Sequence, residues 1–104
     1  MATTVEVRLD KAAHGLLLWL LAKVREPGCK VDGLELELLI LVNFQRKHLG
    51  RLMLARPPYM MQLRPHQALS FRRLLFGIDL PNELADMTRN AVCESIRQQI
   101  PHLC

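Results

Sequence analysis

The sequence predicts an α+β protein, mostly α, with about four helices and two short β-strands in strand-helix-helix, strand-helix-helix order. Three observations lead there. VEVRL and YMMQL each place apolar residues at every second position, the period of a half-buried strand. Each is followed by two stretches with helical composition or spacing. Prolines and glycines fall between these segments, where turns are needed. The chain has 104 residues, of which 50% are hydrophobic and 23% charged, so it is expected to form a single compact domain over 1–104.

In the first strand Val5, Val7 and Leu9 alternate with Glu6 and Arg8. Asp10 then suits the N-cap of a helix over Lys11 to Arg25, because its carboxylate accepts from an amide that the first turn leaves without a partner. That helix stops at Pro27-Gly28. Its LLLWLLA run is apolar on nearly every side, so more than one neighbour must cover it. Gly15 lowers helicity and suggests a close approach.

LELELLILV begins with strand-like alternation, yet leucine and glutamate are strong helix formers. Asp32 followed by Glu35 resembles a capping box, which favours a helix from about Gly33 through His48. Gly50 is the expected C-terminal cap, with continuation to Leu54 as the alternative. Pro57-Pro58 stops any helix, and Tyr59, Met61 and Leu63 form one face of the second strand. Pro65 suits the first turn of a third helix running to about Phe76, with Gly77 closing it. After Pro81, a fourth helix carries Leu84, Met87, Ala91, Val92, Ile96 and Ile100 at helical spacing until Pro101. A shift of 54 residues aligns Leu9 with Leu63, Leu20 with Leu74 and Leu21 with Leu75, a short match in a leucine-rich chain. Two strands alone make a marginal sheet, so they are expected to pair under helical cover or to extend across a dimer interface.

Charge is unevenly distributed. From Leu38 through Ile78 there is no acidic residue, while Arg46, Lys47, Arg51, Arg56, Arg64, Arg72 and Arg73 are present. The whole chain carries a formal net charge of +4. Such a segment focuses positive potential, and arginine favours bidentate contact with phosphate or carboxylate. Phe44, Tyr59, His66 and Phe71 are the nearby candidates for stacking on bases. The competing expectation is that these cations are solvated helix faces paired with carboxylates from the flanks.

No motif names a reaction. Cys29, Cys93, Cys104 and the four histidines contain no Cys-x-x-Cys and no histidine pair at helical ligand spacing, so no metal is expected. His102 and Cys104 make at most half a site. The glycines are isolated, Ser70 and Ser95 lack a nucleophile elbow, and Cys93 reads as a small core residue beside Val92. No catalytic residue, cofactor or enzymatic activity is expected. An odd number of distant cysteines and the lack of a visible export signal point to a cytoplasmic location. The longest apolar run is too short to cross a membrane.

Apolar residues give the stronger lead. Met60 and Met61 are adjacent in a strand, so they point to opposite faces and cannot share one core. Met53, Tyr59, Met60 and Met61 are therefore the candidates for an apolar interface, and the expected function is a non-catalytic protein-interaction module, homodimeric, with a basic central segment. A nucleic-acid-binding regulator using residues 38–78 is the alternative.

Overall fold

A computed structural model of the protein describes residues 4–103. β1 (Val5–Leu9) leads into α1 (Lys11–Arg25) and α2 (Glu35–Leu54), and β2 (Tyr59–Leu63) leads into α3 (Pro65–Gly77) and α4 (Glu83–Gln99). The fold is α+β and mostly α, with the order read from the sequence. β1 and β2 pair antiparallel, with Val5 opposite Leu63, Val7 opposite Met61 and Leu9 opposite Tyr59.

The alternation in the strands decides which face is covered. Val5, Val7, Leu9, Met61 and Leu63 are buried, whereas Glu6, Arg8, Met60 and Gln62 on the opposite face are exposed. The helices therefore cover one face of the sheet and leave the other to solvent. α1 packs against α2, α4 and β1, which is how its nearly all-round apolar run is covered. Leu20, Leu21, Leu41, Leu74 and Ile96 form the most deeply buried part of the core, and Phe44 meets Phe71 edge-on at 5.4 Å.

Local chemistry accounts for most of the helix ends. Asp10 accepts from the Ala13 amide at 2.8 Å and Asn82 from the Ala85 amide at 2.9 Å, so each satisfies a donor of a first turn. Pro65 opens α3, and the side chain of Gln67 reaches back to accept from the Arg64 amide at 3.1 Å. Gly77 is the last residue of α3, and Ile78 caps it.

Two expected caps do not form. Gly33 adopts φ +79, which turns the chain after Asp32, and α2 starts later with Leu34 as its N-cap and no side-chain cap bond. Glu35 instead accepts from the Gly33 amide at 3.4 Å. Gly50 does not take the left-handed conformation of a C-terminal cap, and α2 runs on to Leu54. The reason is tertiary, because the continued turn buries Leu52 in the core.

Gly15 has nothing near the position of a Cβ, so no close approach explains it. The apolar stripe expected on the fourth helix is split. Ile96 and Ile100 are buried, but Leu84 and Met87 are 63% and 68% exposed. The first half of α4 buries Ala85 instead. Cys93 is buried, as its neighbours suggested, and Cys104 lies outside the described residues.

Candidate interaction surface

The C-terminal end of α2 and the strand that follows it concentrate exposed apolar surface. Met53 is 65% exposed, Leu54 84% and Met60 54%, all within eight residues of chain. Tyr59 is half-buried, and its hydroxyl shares a hydrogen bond with His14 Nδ1 at 2.9 Å. Burial of that hydroxyl pushes the Tyr59 pKa above the usual phenol range, because the charged form loses hydration. Met61 faces the core from the inner side of the sheet. Of the four apolar candidates, Met53 and Met60 thus offer open surface, Tyr59 a partly covered ring, and Met61 an internal packing role.

The two edges of the sheet are unlike. On β1, the Gln99 carboxamide brackets Glu6: its Oε1 accepts from the Glu6 amide at 2.8 Å and its Nε2 donates to the Glu6 carbonyl at 2.6 Å. The side chain occupies the place of a further strand. These bonds point away from β2, which makes Glu6 and Gln62 a pair that exchange no hydrogen bonds with each other. By the same alternation, the amides and carbonyls of Met60 and Gln62 point out from the free edge of β2. They have no partner among the described residues.

The basic residues are spread over several elements. Arg46, Lys47 and Arg51 lie on the exposed side of α2, Arg56 in the connection to β2, and Arg64 at the start of α3. None of these five makes an ion pair among the described residues. Arg73 donates to Glu37 at 2.9 Å and ties α3 to the start of α2. Arg72 lies over the Phe76 ring, 5.3 Å from its centroid, and Arg89 of α4 lies 5.0 Å from the same centroid. The adjacent arginines thus have separate structural partners. Phe44 and Phe71, two of the candidate base-stacking rings, are inside the core.

Further exposed apolar pairs lie outside the four interface candidates. Leu36 and Leu39 lie one turn apart on α2, and Leu84 and Met87 one turn apart on α4. Leu84 borders a shallow groove with Trp19 and Gly15 of α1. Helical spacing identifies such pairs as lying on one face, but it does not say whether that face is inward.

No cluster of three or more histidine, cysteine, aspartate or glutamate side chains suited to a metal occurs among the described residues, and none of their helices is long and apolar enough to cross a membrane. No protein family matches the sequence, and no curated protein or solved structure matches it significantly.

Proposed function

We propose that this protein is a small, non-catalytic protein-interaction module that acts as a homodimer, with the basic central segment beside its contact surface. The observation that carries this reading is the run from Met53 to Met60, where three large exposed apolar side chains lead directly onto an open strand edge. Exposed apolar surface next to unpaired backbone groups is unfavourable in water and is commonly covered by another chain. A cytoplasmic location is part of the proposal and rests on the odd, distant cysteines.

Sedimentation equilibrium over about 1–100 µM, a range that brackets micromolar association, tests this reading. A concentration-dependent rise above the 12.0 kDa chain mass supports it. A strictly monomeric species throughout counts against it.

A second reading, a nucleic-acid-binding regulator, is favoured by the exposure of Arg46, Lys47, Arg51 and Arg56 without ion-pair partners among the described residues. Fluorescence anisotropy with labelled duplex DNA and single-stranded RNA tests it, comparing the wild type with a variant in which these four residues are alanine. Binding that weakens with added salt and is lost in the variant supports this reading, since neutralising phosphates releases counterions. No binding at low salt removes it.

A further inference from the structure

We infer that the homodimer forms by antiparallel pairing of β2 with β2 of a second copy, in the single register that sets Met60 opposite Gln62 of that copy. This inference rests on the homodimeric reading above and specifies its contact. The product is a four-stranded sheet with β1 at both outer edges.

The register follows from which backbone groups are available. Met60 and Gln62 point their amides and carbonyls out from the free edge of β2. Around a two-fold axis at Met61, each Met60 meets Gln62 of the second copy, and the two such pairs exchange four backbone hydrogen bonds. Sliding the pairing by one step toward the N-terminus of the strand sets Gln62 opposite Pro58, which has no amide to donate. Sliding it the other way sets Met60 opposite Arg64, whose amide already bonds Gln67 and whose carbonyl already accepts from the Ala68 amide. Both alternatives centre on one pair inside β2 and must complete their outer pairs beyond the strand, with Pro58 or Arg64, neither of which has a free amide to donate; the Met61-centred register forms its four bonds entirely from free groups within β2.

Side chains agree with this placement. YMMQL contains no charge, proline or glycine, the devices that proteins use to protect an open edge. In the proposed register no two like charges face each other across the new pairing. On the inner face, Val7 and Met61 of one copy continue into Met61 and Val7 of the other, so the apolar row crosses the two-fold axis without interruption. On the outer face, each row runs from Glu6 through Gln62 to Met60 and Arg8 of the second copy, with opposite charges at its ends.

A second copy fits better than an open-ended stack of chains because the outer edge of β1 is obstructed. Gln99 occupies that edge at Glu6 in each copy, so a fifth strand would have to displace its side chain. The halves of the chain show why the two edges differ. The 54-residue shift carries β1 onto β2 and the start of α1 onto the start of α3, and it pairs Gln99 with Gln45. Gln45 is buried in α2 and makes no hydrogen bond to β2 among the described residues. The second half therefore has no counterpart of the clamp on the first.

The test is sedimentation equilibrium of the full chain and two double variants, M60K/Q62K and M60E/Q62K. Both positions are exposed on the outer face, so far-UV circular dichroism is expected to remain that of the wild type. M60K/Q62K sets lysine against lysine across the pairing and is expected to raise the dissociation constant about tenfold or more. M60E/Q62K sets glutamate against lysine at the same place and is expected to retain the dimer. A dimer indifferent to M60K/Q62K overturns the strand pairing but leaves the interaction-module reading with a different face. Loss of the dimer in both variants overturns the register. A wild type that stays monomeric overturns the pairing and the homodimer together.

Discussion

Gln99 and Glu6, 93 positions apart in sequence, are joined by a carboxamide that both accepts from and donates to the same residue of β1. One side chain at the end of α4 thereby does for β1 what a neighbouring strand would do. Gln99→Ala removes both bonds at an exposed site, and it is expected to lower stability by about 1–2 kcal/mol in urea unfolding. Gln99→Glu keeps an acceptor but loses the donor and brings a carboxylate against the Glu6 carbonyl. It is expected to be no better than alanine in the same measurement.

The His14 and Tyr59 pair offers a direct titration, since Tyr59 is the single tyrosine of the chain. Tyrosinate absorbance is expected to show a midpoint above the usual phenol value in the folded protein and a normal one in denaturant. A phenol whose pKa is raised on folding contributes stability that is fully present below its unfolded value. That contribution is lost as the pH rises through the higher folded value. Tyr59→Phe is expected to cost about 0.5–1.5 kcal/mol at neutral pH and to abolish this alkaline component.

Glycines within helices supply a stabilising prediction. Gly50 lies inside α2 with open space around its Cβ position and no need for a left-handed backbone. Gly50→Ala is expected to stabilise the protein by about 0.5–1 kcal/mol, read as a higher thermal midpoint. At Gly77 a Cβ meets the Leu34 Cδ1 atom at 2.7 Å and the Val31 Cγ1 atom at 3.2 Å. There the helical gain is offset by displacement of Leu34, and Gly77→Ala is expected to change the midpoint less than Gly50→Ala.

Core substitutions should be costly on both sides of the helical layer. Leu41 of α2 and Ile96 of α4 are fully buried. Leu41→Ala and Ile96→Ala are each expected to destabilise by about 2–5 kcal/mol in denaturant unfolding, because each loses burial and leaves a cavity. Leu54→Ala, at an 84% exposed position, is expected to have little effect on the monomer.

The sequence expresses local rules well. Asp10, Pro65 and the alternation of VEVRL act through atoms a few residues away, and each appears in the structure as its chemistry implies. Where tertiary packing competes, the local signal loses. Gly50 was expected to end α2, but burial of Leu52 carries the helix through it. Leu84 and Met87 connect to Ile96 through steps of three and four residues, but around the helix they lie about 120° and 180° from it, and the core meets α4 on the side of Ala85, Cys93 and Ile96. Adjacency of Met60 and Met61 gave their opposite directions, whereas choosing the solvent side required knowing where the helices lie. Helical spacing sets Arg72 and Arg73 about 100° apart, one bordering the core and the other outward, but it does not show that one stacks on Phe76 and the other binds Glu37. Gln99 was invisible as an edge clamp, since no local pattern links it to Glu6.

That clamp also imposes an order in time. During synthesis Glu6 leaves the ribosome 93 residues ahead of Gln99. At ordinary elongation rates this is roughly 5–20 s during which the nascent β1 has an unguarded edge. α1 and α2 can gather around their own leucines in that interval, but completion of the sheet must wait for β2 and its sealing for α4. The growing chain, more than the finished one, is therefore the form most exposed to mispairing and to capture by chaperones.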